Sequence, residues 1–361
     1  MKTQNKVTKL DFTGQAIYVG IDVHLKSWSV EVLSEHSVLK KFRQNPEPEA
    51  LHKFLATNYP NATYYSVYEA GFCGFWIHHR LMELGIENIV VNPADVPTMS
   101  WEKLRKTDAV DCSKLARGLR SGDLRGIYVP SAQMLEIRSL IRLRNSIVKD
   151  TTREKNRIKS LLHFLGIEIP EEFARPNSNW SKRFLAWLGG VEFITEYGRK
   201  RLDVHLLKYT HLRSLLLQET REIRQLTRSV EFEESMRLIT SIPGIGVITG
   251  ITFLCELDDI HRFRNSDHLA SFVGLIPMCH SSGDKDGTGE ITIRKHAALR
   301  SNIVEAAWVA IRKDPAMTLC FGEYCKRMDA TEAIVKIARK LIRRIFYVLK
   351  HKQMYVCSVV E

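Results

Sequence analysis

The 361-residue sequence lacks any long apolar run. A helix that crosses a membrane needs about 20 consecutive apolar residues, and no stretch here approaches that length. The first ten residues also lack the apolar core of a secretory signal. These absences exclude a membrane-spanning or exported class and predict a soluble protein of the cytosol.

Cysteine is sparse, and its spacing follows no known framework. The seven cysteines are odd in number and scattered, and no Cys-x-x-Cys pair is present. Cys320 and Cys325 have no histidine partners at zinc spacing. This pattern argues against a disulfide scaffold and a zinc finger, and predicts reduced thiols that pack as small core residues.

Acidic residues are outnumbered by basic ones, 41 against 53, which gives a formal net charge of +12. Such an excess of positive charge favours a polyanionic partner such as nucleic acid. Hydrophobic residues make up 44% of the chain and charged residues 26%, as in globular proteins. The length allows two or three domains with cores of their own.

Four of the acids stand out by their positions. Asp22 and Glu69 each lie at the end of a predicted apolar strand, while Asp108 and Asp111 open a predicted helix. Asp108 and Asp111 are three residues apart and so share one face of that helix. Buried acids need cationic partners, and four carboxylates can hold two Mg²⁺ ions about 4 Å apart for phosphodiester chemistry. Taken singly, each acid has an ordinary alternative role, such as a helix cap for Asp108.

The predicted elements divide the chain into three regions. Residues 15–125 follow the order β-β-β-α-β-α-β-α, which is typical of a ribonuclease H-like (RuvC-like) mixed sheet with helices on both faces. Residues 131–235 are predicted to be a helical arm, beginning with a long helix or helix pair over 131–165. Residues 238–352 are predicted to be mainly helical, with a helix-hairpin-helix-like turn at Ile242–Gly246.

The predicted helix over 131–165 is rich in cations along one face. Two interpretations stand: the solvated face of a bundle, or an arm that grips nucleic acid backbone and dimerises as a coiled coil. The cations are Arg138, Arg142, Arg144, Lys149, Arg153, Lys155, Arg157 and Lys159.

A second candidate site is the serine pair Ser281-Ser282, in a segment predicted as a polar loop over 278–290. A serine nucleophile needs close approach and nearby cations. Nearby glycines supply backbone conformational freedom. The sequence contains no Gly-x-Ser-x-Gly elbow, so a hydrolase-type serine is not supported. Spacing alone favours an ordinary surface loop. The candidate cations are His280, Lys285, Arg294, Lys295, His296 and Arg300.

Short motifs in a fixed order carry a family resemblance over residues 15–312. The chain resembles the DEDD insertion-sequence transposases, the group that includes Piv-like DNA invertases and bridge-RNA-guided recombinases. The motifs are Tyr18–His24, Tyr68–Gly71, Lys106–Ala116, Ile242–Gly246, Phe272–Pro277, Ser282-Gly283 and Arg294–Arg300.

The resemblance implies a RuvC-like domain whose four acids, here Asp22, Glu69, Asp108 and Asp111, bind Mg²⁺. It implies a nucleophilic serine before a glycine, here Ser282 with Ser281 as the fallback, and protein–DNA phosphoserine intermediates. It also implies double-stranded donor and target DNA, a structured guide RNA that pairs with both, and homodimers that assemble into homotetramers.

Three rival interpretations remain open from the residues. A metal-dependent nuclease such as a junction resolvase needs only the four acids and water. A non-enzymatic nucleic-acid-binding protein needs only the basic helices. A degenerate, inactive element copy is the third, although the intact acids and serine argue against it.

Overall fold

The computed structural model describes residues 11–98, 108–174, 179–282 and 285–357. Most of the predicted N-terminal polar arm lies outside these residues, as do Lys106, Thr107 and Gly283 of the sequence motifs. The chain forms two compact units, Met1–Ala132 and Gln133–Glu361. Among the described residues, no helix has both the length and the apolar character needed to cross a membrane.

The first unit is built on a five-stranded mixed sheet in the order β3-β2-β1-β4-β5. The central strand β1 is antiparallel to β2 and parallel to β4, so the sheet is mixed, as predicted. The strands are β1 Ala16–Val23, β2 Trp28–Leu33, β3 Val38–Gln44, β4 Thr63–Glu69 and β5 Glu87–Val91.

Helices cover both faces of this sheet. Helices α1 (Pro48–Asn58) and α2 (Trp76–Glu83) share a core with the odd-numbered β1 side chains Ile17, Val19 and Ile21. Helix α3 (Asp108–Ser121) packs on the opposite face, beside Gly20. Side chains alternate along a strand, so residue 22 of β1 faces α3 as well.

The second unit is mainly helical and contains separate apolar cores. One core joins α4, α6 and α7 around Leu162, Phe184 and Leu202, and another surrounds α9, α11 and α13. Residues 132–164 form one continuous helix rather than a pair. The elements are α4 Ala132–Phe164, α5 Glu171–Ala174, α6 Lys182–Gly190, α7 Glu196–Leu226, α8 Glu233–Thr240, α9 Val247–Leu257, α10 Ser266–Val273, β6 Pro277–Ser282, β7 Lys285–Ile291, α11 Ala297–Ala310, α12 Pro315–Cys325 and α13 Ala330–His351.

The polar loop predicted over 278–290 is wrong, because β6 and β7 form an antiparallel hairpin. A hairpin ladder is made by backbone groups, so a polar, glycine-rich stretch can take part in it. The sequence did carry a signal, since Gly283-Asp284 is a dipeptide typical of two-residue hairpin connections.

The predicted basic face of α4 is also wrong in part. Arg138 is only 8% exposed, and its Nε donates a hydrogen bond to the carbonyl of Cys255 at 2.7 Å. Arg142 and Arg144 bond to Glu256 and Thr220 within the same unit. Arg138 therefore serves an internal contact instead of facing solvent, whereas Arg142 remains 60% exposed while it bonds to Glu256.

Candidate active site

The two strand acids lie beside each other at one edge of the first sheet. Strands β1 and β4 are parallel, and Ile21 lies opposite Tyr68. The next residue on each strand is an acid, so Asp22 and Glu69 are neighbours across the two strands. Glu69 shares its face with Val67, which packs against Leu115 of α3. Both acids therefore face the helix that carries Asp108 and Asp111.

His24 links the first pair of acids. Its Nε2 lies 3.1 Å from Asp22 Oδ2 and 3.6 Å from Asp108 Oδ1. The ligand atoms of these three residues all lie within 4.8 Å of one another, close enough to share a metal ion. Arg43 adds a 2.7 Å contact from its guanidinium to Asp108 Oδ2. Sequence reasoning missed His24, although its position two residues after Asp22 is a signal for a shared strand face.

Lys114 links the second pair of acids. Its Nζ lies 3.3 Å from Glu69 Oε1 and 3.3 Å from Asp111 Oδ1. Glu69 Oε1 is buried and accepts no hydrogen bond of good geometry within the described residues, so the ammonium contact is chiefly an ion pair. Sequence reasoning missed Lys114 as well, although it follows Asp111 by three residues on the same helix face.

Asp22 is electrostatically coupled to both helix acids. Burial raises the pKa of its carboxyl above the ordinary value, and the negative charges of Asp108 and Asp111 raise it further, while His24 partly offsets them. Added positive charge nearby stabilises the ionised form of a carboxyl in such surroundings. The structure thus brings all four predicted acids into one cluster, which bound cations would stabilise.

A buried polar contact ties α3 to the sheet next to this cluster. Glu31 of β2 is 2% exposed and accepts a hydrogen bond from the hydroxyl of Ser113. Lys41 Nζ lies 2.8 Å from Glu31 Oε2 and donates to Ser113 Oγ at 2.6 Å. Since Ser113 lies between Asp111 and Lys114 on the helix, the contact fixes the register of the acids against the strands.

The donors fit a divalent cation. Carboxylate oxygens are the ligands that Mg²⁺ and Mn²⁺ accept, and one imidazole nitrogen is compatible with Mn²⁺. Glu69 Oε1 is buried without a hydrogen-bond donor of good geometry among the described residues and is thus able to bind a cation. Asp22, His24 and Asp108 on one side, and Glu69 with Asp111 on the other, are the residues that would hold such ions.

The candidate serines lie in the second unit, at the end of β6. Ser282 is the last residue of that strand, paired in register with Lys285, and Ser281 is paired with Asp286. Two of the cations predicted to serve a phosphate here have internal roles. His296 Nε2 lies 3.3 Å from the buried Glu256, and Arg300 donates to the carbonyl of Thr292 at 2.7 Å.

Comparison with known families matches both halves of the chain. Residues 19–167 match the transposase family of the DEDD IS110 type. Residues 236–320 match the family described as transposase IS116/IS110/IS902. The first range contains all four acids and the second contains both serines.

Transposases of insertion sequences are similar along most of the chain. The transposase for IS1111A of Coxiella burnetii is 25% identical over 290 residues, 78% of this chain and 76% of that protein. The transposase for IS1533 of Leptospira borgpetersenii is 24% identical, covering 71% of this chain and 74% of its own length. The transposase for IS1328 of Yersinia enterocolitica is 23% identical, covering 82% and 84%. The chain belongs to the IS110/IS116/IS902 family of insertion-sequence transposases, enzymes that catalyse DNA cleavage and strand transfer.

Proposed function

We propose that this transposase cuts and rejoins donor and target DNA in a Mg²⁺-dependent reaction, with Ser282 as the nucleophile. The observation that carries the proposal is the cluster in which His24 and Lys114 bridge the acids in two pairs. Two ions held there would stabilise negative charge on a phosphodiester and its leaving oxygen.

The reaction conserves the energy of the phosphodiester bond. Ser282 Oγ gives up its proton to solvent and forms a bond to phosphorus while the bond to the leaving sugar oxygen breaks, and that oxygen takes up a proton. A hydroxyl of the partner strand then attacks the phosphoserine, and the serine oxygen leaves and is reprotonated. Ser281 adjoins Ser282 on β6 and is the fallback nucleophile.

Sequence choice is proposed to come from a structured RNA encoded by the element. The chain has no zinc-finger spacing, while its net charge of +12 suits contacts to nucleic acid backbones. Base pairing between such an RNA and both DNA partners would supply the specificity that backbone contacts lack. The enzyme would then act in the bacterial cytosol, where its DNA lies.

The three sequence regions correspond to proposed roles. Residues 15–125 form the RuvC-like catalytic domain, residues 131–235 a coiled-coil arm through which homodimers pair into homotetramers, and residues 238–352 the domain of the nucleophile. The turn at Ile242–Gly246 is proposed to contact a phosphate in the manner of a helix-hairpin-helix, because Gly246 precedes the exposed first residue of α9.

A covalent-adduct assay tests the proposal. The full chain, Mg²⁺, the RNA from the element's flanks and end-labelled junction DNA are mixed, denatured and resolved on a gel. Wild type is expected to give a DNA adduct that Ser282→Ala abolishes and Asp22→Asn reduces by about 100-fold or more, as for loss of a main electrostatic stabiliser.

Ser281→Ala is the matched control and should retain the adduct. Loss of the adduct in Ser281→Ala alone would move the nucleophile to Ser281. Cleaved DNA without any adduct, unchanged by Ser282→Ala, would identify water as the nucleophile and the chain as a RuvC-like nuclease.

A further inference from the structure

The two nitrogens that bridge the acid pairs differ in their exposure. The His24 side chain is 50% exposed and can leave its acids by a simple rotation into solvent. The Lys114 side chain is 11% exposed and lies at equal distances of 3.3 Å from Glu69 and Asp111. The two halves of the cluster therefore present unequal barriers to an incoming cation.

Lys114 lies where a cation shared by Glu69 and Asp111 would lie. An ammonium and a divalent ion cannot both bridge the same two carboxylates, because like charges a few ångströms apart repel strongly in a partly buried site. Lys114 Nζ lies 3.3 Å from Glu69 Oε1, a long contact that does not meet the geometry of a good hydrogen bond. The contact balances charge but does not lock the oxygen in place.

A cavity beside Lys114 offers space for its ammonium group. Lys114 lines an open cavity of about 370 Å³ whose other charged residues are Arg117, Arg120 and Asp123. A lysine side chain has a flexible stem of four methylene groups and a compact charge, so a rotamer change can move its ammonium group from the acids into this space. Asp123 contributes a carboxylate to the lining of that cavity.

We propose that Lys114 is a built-in counter-cation that makes the metal ions bind in sequence. The first ion enters at Asp22, His24 and Asp108, and the second enters at Glu69 and Asp111 only when Lys114 withdraws. This inference rests on the proposed metal-dependent function. It adds a residue of this chain whose charge opposes binding of the second ion.

Direct counting of bound Mn²⁺ by electron paramagnetic resonance tests the inference on the full chain without DNA. Wild type is expected to bind one ion tightly and a second weakly. Lys114→Met should tighten the second ion by about fivefold or more, since that is the effect of removing one nearby charge even under the screening of bulk water. Lys114→Arg keeps the charge and should leave the second ion weak.

Arg43→Met is the matched control, because it removes a cation that contacts Asp108 rather than the second pair. It should tighten the first ion and leave the second unchanged. If Lys114→Met has the same second-ion affinity as wild type, or a weaker one, Lys114 only positions the acids and the inference is overturned. Absence of any Mn²⁺ binding to wild type would overturn the metal-dependent function together with this inference, whereas an unaltered second site would overturn the inference alone.

Lys114→Gln provides a second neutral variant in case Lys114→Met does not fold, and the circular dichroism spectrum of each variant is compared with that of wild type. Tightening of the second ion in either neutral variant supports the inference. Equal affinity in every folded neutral variant overturns it.

Discussion

Gly20 of β1 lies directly beneath Cys112 of α3. A Cβ added at position 20 would stand 2.2 Å from the carbonyl oxygen of Cys112 and 2.5 Å from the amide nitrogen of Ala116. Only glycine allows the helix to approach the strand this closely. The close approach matters for the cluster, because the same helix carries Asp108 and Asp111 and the same strand carries Asp22.

Gly20→Ala is expected to lower the free energy of unfolding by about 1–3 kcal/mol or more, as overpacking does, and to weaken metal binding because α3 must move away from the sheet. Denaturant unfolding and Mn²⁺ binding measure the two effects. Gly189→Ala is the control, since an added Cβ there meets nothing within 4 Å. Equal stability of Gly20→Ala and wild type would contradict the close packing.

Ser113→Ala removes the hydroxyl that donates to the buried Glu31 carboxylate. We expect a loss of about 1.5–3 kcal/mol in unfolding free energy, the usual cost of losing a hydrogen bond to a charged group. Strand transfer should fall as well, because the register of the helix acids is loosened. Ser121→Ala on the same helix is the control, because its hydroxyl bonds at an exposed position. A fully stable Ser113→Ala variant would argue against this anchoring role.

Stability should fall in acid through Glu256. Burial on its own would raise the pKa of this carboxyl, but hydrogen bonds and charges from His296 and Arg142 outweigh it and lower the pKa from 4.5 to about 2. A lowered folded-state pKa contributes stability above the unfolded value, and this contribution is lost as the pH falls from about 4.5 to about 2.

Glu256→Gln, which cannot ionise, is expected to be about 3 kcal/mol less stable than wild type at neutral pH. The gap should close towards pH 2. The measurement is the urea midpoint of unfolding for wild type and Glu256→Gln at each pH across this range. Glu234→Gln, at an exposed ion pair with Lys352, should change stability little at any pH. A gap that is independent of pH would rule out the ionised Glu256 as its source.

Nucleic acid binding should weaken with salt, since backbone contacts release counterions. Lys149 is exposed on α4, whereas Arg138 is buried against Cys255 and Glu256. If Lys149 contacts a duplex phosphate, Lys149→Gln lowers the slope of log binding constant against log salt by about 0.9. Arg138→Gln should lower the unfolding temperature and leave the slope unchanged. The reverse pattern would show that the buried arginine, not the exposed lysine, contacts the nucleic acid.

Much of this protein can be predicted from its sequence. The strand and helix order of the first unit follows from apolar periodicity, which local side-chain pattern determines. The four acids follow from their positions at the ends of those elements, and the long helix over 132–164 follows from a run without glycine or proline. These features depend on near neighbours in the chain.

Contacts between distant segments were decided by the tertiary structure alone. His24 and Lys114 became the bridges between acids only because β1, β4 and α3 meet at one edge of the sheet. Arg138 became internal because α4 packs against the end of α9, and the serines came to lie on a strand because backbone groups of two segments paired. Local pattern gives the type of most elements, but which residues of an element meet a partner depends on packing across the whole fold.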